Sequence, residues 1–344
     1  MNKKFQLLKN LKMKKIILLL LVSCLFFGAC NIHIEKKIIT YKGAIQGSFF
    51  QIKFYTGEDS LLIKNAIDSI FKDIDHTASL YDSNSIISLV NNNRETELNE
   101  HFVKLFNRSQ EVSQATGGCF DITVGPLVKA WGFWKKKGLD LKPKQLDSLL
   151  EFVGYNKVRL VNTGKGSRIL KEHSETMLDF NAIAQGYTAD VVADYFNNKK
   201  ITDYLIEIGG EVRASGTKEG NINWIVGIEK PAENSEAEQV IQEKVELKNK
   251  SMATSGNYRK YFIKDGIKYS HTIDPATGYP VHHSLLSVTV LADDCSTADA
   301  YATAFMVMGL DKAKKFLKTH SDLEAYFIYS DSTGKITDCD LLKK

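Results

Sequence analysis

Tyr204-Leu205-Ile206-Glu207-Ile208-Gly209-Gly210-Glu211-Val212-Arg213-Ala214-Ser215 is rich in β-branched and aromatic side chains and is broken by a glycine pair. The composition predicts strand. Glycines inside a strand weaken its packing, so Gly209-Gly210 marks a bulge or a place where a ligand or another backbone comes close. The next segments keep to the same pattern: Asn223 to Glu229, Val240 to Leu247, Tyr258 to Ile263 and Leu285 to Leu291. Helical spacing returns only at Ser296 to Met308 and Asp311 to Lys318, before a last strand from Leu323 to Tyr329. Strands and helices mix without strict βαβ alternation, which predicts an α+β fold of mixed, largely antiparallel sheets packed with helices.

Towards the N-terminus, Ala184 to Phe196 reads as helix, Lys157 to Phe180 as two strands and Lys144 to Phe152 as a short helix. Ser60 to Leu80 is amphipathic, as is a second helix through Phe102, Leu105, Phe106 and Val112 that stops at Gly117-Gly118. Lys37 to Tyr55 alternates around Gly43 and Gly47 as a hairpin does. No period of 20–50 residues repeats and no proline-rich linker divides the chain. Residues 37–344 therefore read as one domain.

Residues 1–29 have the form of a secretory signal: six lysines and no acid in Met1 to Lys15, an apolar run from Ile16 to Phe27, then Gly28-Ala29-Cys30. The apolar run falls short of the ~20 residues a spanning helix needs, and a cysteine after two small residues resembles the bacterial lipobox. Cys30 is then the lipidated first residue, with 30–36 as a tether, and the protein an exported, membrane-anchored lipoprotein facing the periplasm or cell exterior. Phe27 departs from the lipobox spelling, and Leu21-Val22-Ser23-Cys24 fits it better, but cleavage before Cys24 leaves a very short apolar core. Met13 is an alternative start.

The chain has 344 residues and a formal charge of +4. Without its lysine-rich leader it is neutral to slightly acidic, and no clustered basic face points to nucleic acid. Beyond Cys30 only Cys119, Cys295 and Cys339 remain, with no spacing for a zinc site or a disulfide framework.

Asp299 and Thr303 are four residues apart on a helical pattern, so a carboxylate and a hydroxyl share one face, while Ala300, Ala302 and Ala304 leave room beside them. Two hard oxygens suit Mg²⁺, which takes few protein ligands and completes its shell with water and phosphate. The spacing alone also fits an Asp299 that caps or solvates the first turn. His271 stands at a strand end before the Asp274-Pro275 and Thr277-Gly278 turn, where it reads as a general base or as a surface histidine. His282 and His283 lack such a setting. Neither the Rossmann nor the Walker fingerprint occurs.

Taken together, these segments resemble the ApbE-type FAD:protein FMN transferases. The matches run in order: Gly47-Ser48-Phe49-Phe50, Leu80-Tyr81-Asp82 with Ser85 and Asn91, Thr116 to Leu127, Asp179 to Tyr187, Ile208 to Arg213, Trp224 to Pro231, Ala253 to Gly256, His271 to Gly278 and Ala298 to Gly309. The resemblance implies a fold related to the T-fold and a Mg²⁺-dependent transfer of FMN from FAD to a Ser or Thr hydroxyl of another protein, releasing AMP. It implies Mg²⁺ ligands in Asp299 and Thr303 with backbone oxygens of Ala182 and Ala302, and His271 as the base. Gln46, Tyr81, Cys119, Phe120, Asp121, Asp179, Gln185 and Ile273 fall where the family contacts FAD. Gln46, Cys119, Asn181-Ala182 and Gln185 stand where the family more often has Met, Ala, Gly-Gly and Lys. Acceptor flavoproteins of exported or membrane redox complexes are the implied partners. A Mg²⁺-dependent FAD pyrophosphatase and a non-catalytic flavin-binding lipoprotein are the competing readings.

Overall fold

The computed structural model describes residues 36–134, 141–164, 166–231, 240–257, 261–264 and 267–342, with four isolated positions of the leader. Cys24 and Cys30 lie outside the described residues. Two compact units divide the chain, Met1–Lys37 and Ile38–Lys344, and the elements below belong almost wholly to the second. Among the described residues no helix is long and apolar enough to cross a membrane.

In chain order the elements are β1 (Lys37–Ile45), β2 (Ser48–Thr56), α1 (Ser60–Ala78), α2 (Ile86–Asn91), α3 (Glu100–Ala115), α4 (Gly125–Trp131), α5 (Pro143–Leu150), a 3₁₀ turn (Tyr155–Lys157), β3 (Val158–Thr163), β4 (Gly166–Lys171), α6 (Ala184–Asn198), β5 (Tyr204–Ile208), β6 (Glu211–Ser215), β7 (Trp224–Glu229), β8 (Ile241–Leu247), β9 (Ser251–Gly256), β10 (Tyr261–Lys264), β11 (Ile267–Ser270), β12 (Leu285–Ala292), α7 (Cys295–Met308), α8 (Leu310–Leu317), β13 (Glu324–Ser330) and β14 (Ile336–Leu341). Eight strands form one sheet in the order β1-β2-β5-β6-β9-β12-β13-β14, and β3-β4, β7-β8 and β10-β11 are separate two-stranded sheets. The pairings from β2 through β14 are antiparallel. This is the α+β, largely antiparallel architecture that the order of strands predicts.

The large sheet is covered on both faces, which is why its central strands read as nearly continuous apolar runs rather than alternating ones. Val288 and Val290 of β12, with Ala325 and Phe327 of β13, pack into the cluster that holds α7. Leu291, Tyr326 and Ile328 turn the other way, onto Trp224, Ile228, Val245 and Leu247 of the β7-β8 hairpin. A further cluster joins β2 and β5 to α1 and α6 through Ile52, Phe54, Ile67, Phe196 and Ile206.

Several boundaries differ from the sequence reading. Tyr204 to Ser215 is a tight hairpin, with Ile208 opposite Glu211 and the glycine pair as its turn. The Lys157–Phe180 region is strand only as far as Lys171, and the residues after it run irregularly into the site. Five elements have no sequence counterpart: α2, α4, β9, β11 and β14. The six and seven residues of α2 and α4 make about two turns each, too few to display a 3.6-residue period.

Candidate functional site

Helices α6 and α7 cross at Gly186. A Cβ there would lie 2.4 Å from the Cys295 carbonyl oxygen and 2.9 Å from Asp299 Cβ, so only glycine admits this approach. At the crossing the Gly186 N–H donates to Asp299 Oδ2 at 3.1 Å. One turn further along α6, Asp190 accepts the N–H groups of Cys295 and Ser296, both at 2.8 Å. Advancing along α6 from 186 to 190 thus retreats along α7 from 299 to 295, so the two helices run antiparallel. Thr303 lies one turn after Asp299 on α7, and Ala182 lies in the turn just before α6.

The expectation that Asp299 caps or solvates a first turn is corrected here. Asp294 is the cap of α7, accepting from the Thr297 N–H at 2.8 Å. Asp299 is 7% exposed, inside a helix whose residues are buried nearly all round. Burial pushes its carboxyl up to about 7, the Gly186 N–H opposing and the Asp190 charge adding to the rise. A buried carboxylate facing a second acid, with one N–H and, among the described residues, no cationic side chain against it, is costly unless a cation completes it. Among the described residues no three His, Cys, Asp or Glu side chains converge on a metal position. Mg²⁺ does not require them, because water and substrate oxygens fill most of its shell. The donor set of Asp299, the Thr303 hydroxyl and main-chain oxygens around Ala182 and Ala302 fits such an ion.

Around this helix pair stand further residues singled out in the sequence. Gln185 leans on the β5-β6 turn: a Cβ on Gly209 would meet its Nε2 at 2.3 Å, and Gly209 takes φ +69°. The glycine pair therefore marks a close approach of a side chain from α6. Gln46, in the β1-β2 turn with φ +50°, donates through Nε2 to Thr188 Oγ1 at 2.9 Å, and Thr188 donates to the Ala184 carbonyl at 2.7 Å. Helix α6 starts at Ala184 with no side chain capping it; the Ala184 N–H donates to the Phe180 carbonyl and the Gly186 N–H to Asp299.

The other half of the site is a set of loops. The Asp179 N–H bonds the Ile122 carbonyl at 2.7 Å, and Val124 bridges Met177, so the 119–124 and 177–182 segments lie side by side. The Asp179 carboxylate accepts from Trp134 Nε1 at 3.1 Å and from the Asn181 N–H at 2.8 Å, and burial raises its pKa. Asp121 ties its own loop to the 3₁₀ turn: it accepts from the Thr123 N–H and hydroxyl and from the Tyr155 N–H. Phe120 is 2% exposed and belongs to the core cluster, so its ring is part of the core. Cys119 is half-buried, its thiol pushed up by burial and by the Asp274 carboxylate. Tyr81 is 76% exposed.

His271 follows β11 directly and is half-buried. The turn after it is stiff: Asp274 accepts from the Ala276 N–H and the Thr277 hydroxyl, and Trp131 Nε1 donates to the Gly278 carbonyl at 2.8 Å. Ile273 anchors the turn in a cluster with Leu127, Trp131, Leu146 and Val153. Sequence reasoning missed the supports of the site. Asn91, quoted only as a family match, clasps Leu178 with both ends of its amide, at 2.9 and 2.7 Å. Lys171 Nζ caps the carbonyls of Val90, Ser174 and Thr176. The Asn91 clasp has no local signal, since Leu178 lies 87 residues away.

The ApbE family model matches residues 46–327. An FAD:protein FMN transferase of Haemophilus influenzae is 32% identical over 94% of this chain and 96% of its own length. One of Vibrio cholerae is 33% identical, covering 86% and 88%. Among solved structures, the flavin transferase ApbE from Vibrio cholerae superposes with a TM-score of 0.78 at 29% identity, covering 89% of this chain and 97% of that one. The flavinyl transferase ApbE of Pseudomonas stutzeri gives 0.78 at 28% identity, covering 89% and 95%.

Proposed function

The chain belongs to the ApbE family, and from that membership we propose that it is a Mg²⁺-dependent FAD:protein FMN transferase, a lipoprotein that flavinylates exported or membrane redox proteins. The observation that carries the site assignment is Asp299: buried, held by one N–H, without a cationic partner among the described residues, and one turn from Thr303. Asp299, Thr303 and the main-chain oxygens of Ala182 and Ala302 would hold the ion. When bound, Mg²⁺ supplies charge neutralisation at the pyrophosphate, the main requirement of phosphoryl transfer.

The remaining chemistry belongs to the protein and its two substrates. The N-terminal end of α6 favours the phosphates by its dipole. Gln46, Tyr81, Cys119, Asp121, Asp179, Gln185 and Ile273 border the FAD, and Phe120 contributes main chain, its ring being in the core. The acceptor hydroxyl oxygen forms a bond to the flavin-side phosphorus as the bond from that phosphorus to the bridging oxygen breaks. AMP leaves with that oxygen, FMN stays as a phosphoester, and His271 takes the hydroxyl proton. The stiff turn behind His271 keeps its imidazole from drifting, as proton transfer in a fixed geometry needs.

The test is to incubate the purified protein with FAD, Mg²⁺ and exported flavoprotein candidates of the same cell and to read flavin fluorescence in a denaturing gel. Fluorescence migrating with an acceptor is the expected result. Free FMN and AMP with no labelled acceptor would make the protein a pyrophosphatase instead.

A further inference from the structure

We propose that Asp190 is a positioning residue for the divalent-cation site, acting through helix α7 without touching the ion; the proposal rests on the cation reading given above. Asp190 is one turn along α6 from Gly186, and its two oxygens are both engaged: Oδ1 accepts the Cys295 N–H and Oδ2 the Ser296 N–H. These are the first two residues of α7, whose N–H groups have no partner within the helix. Asp294 takes the next donor, the Thr297 N–H. The first turn of α7 is thereby fixed in rotation and depth against α6.

The bonds run in both directions across the crossing. A main-chain N–H of α6 holds the Asp299 carboxylate of α7, and main-chain N–H groups of α7 hold the Asp190 carboxylate of α6. Between the two rungs the helices touch at Gly186 with no slack. Rotation of α7 is what decides where Asp299 and Thr303 aim, because both project from the same face. Asp190 therefore sets the aim of two ligands that it does not contact. Groups standing behind metal ligands in this way typically govern affinity by about 10–100-fold.

Mn²⁺ binding to the purified protein with saturating FAD and no acceptor tests this, read as loss of the free-ion EPR signal. Asp190→Asn puts an amide donor against an N–H group, and Asp190→Glu keeps the charge on an arm one methylene too long. Either variant should weaken Mn²⁺ binding about 10–100-fold. Leu247→Ala, which empties a buried position beneath the β7-β8 hairpin, should lower the melting temperature and leave Mn²⁺ affinity unchanged. Wild-type affinity in a folded Asp190 variant, or an equal loss in Leu247→Ala, overturns the proposal. Amide exchange in the wild-type protein needs no variant to fold: Mn²⁺ should slow exchange at Gly186, Cys295 and Ser296 together, and unchanged exchange there overturns the proposal as well. Absence of Mn²⁺ binding by the wild type would instead sink the cation reading on which it rests.

Discussion

Asp299 is charged at neutral pH only against resistance, since burial lifts its carboxyl to about 7 from an ordinary value near 4. A carboxyl raised in the folded state binds its proton more tightly there than in the unfolded chain, so folding is favoured at low pH and that advantage is lost as pH climbs. In EDTA the melting temperature should therefore fall between about pH 4 and about pH 7, and Mg²⁺ should restore it above that range. Asp299→Asn removes the charge while keeping an acceptor for the Gly186 N–H. It should melt higher than wild type in EDTA at pH 8 and transfer no FMN; a lower melting point would mean the carboxylate is not under strain. His271 is tested through rate rather than stability: His271→Ala should slow transfer by about 10²–10⁴-fold at saturating FAD. A loss confined to FAD affinity would reassign it to flavin binding.

Helix pairs position what residues do, and the α6-α7 crossing depends on one missing methyl. In Gly186→Ala the new Cβ meets backbone on one side and Asp299 on the other, so the helices must part. Overpacking of this kind costs about 1–3 kcal/mol, and urea unfolding should show that loss together with weaker Mg²⁺ activation. A variant with native stability would mean the helices separate freely. Nothing in the local sequence names Gly186 as a contact: it sits in Gln185-Gly186-Tyr187, and its partner is 113 residues on. The long elements α1, α3, α6 and α7 were legible because each repeats its apolar spacing over several turns. The chemistry-bearing residues Asp299, Thr303 and His271 were legible as types and spacings, with their assigned roles supplied by the family resemblance. What escaped was long-range: the burial of Asp299, the clasp of Asn91 on Leu178, the tie of Asp121 to Tyr155, and the turn of Phe120 into the core. Each depends on which segment packs alongside, and hydrophobic period carries no information about that.

At the scale of the molecule, residues 38–344 form one compact unit with its own clusters on both faces of the large sheet, so the chemistry should not require the leader. The six residues after Cys30 reach at most about 20 Å when extended, so the proposed lipid on Cys30 would keep the enzyme close to the bilayer and favour acceptors held there too. Two substitutions separate anchoring from catalysis. Cys30→Ser should move the protein from the membrane pellet to the soluble fraction, with FMN transfer to a soluble acceptor unchanged and transfer to a membrane-held acceptor reduced, because the tether supplies local concentration. Release by Cys24→Ser, with Cys30→Ser still in the pellet, would move the lipidation site. Loss of transfer to the soluble acceptor in the released protein would show that the anchor shapes the site itself, contrary to an enzyme whose helix pair, loops and base all lie beyond residue 38.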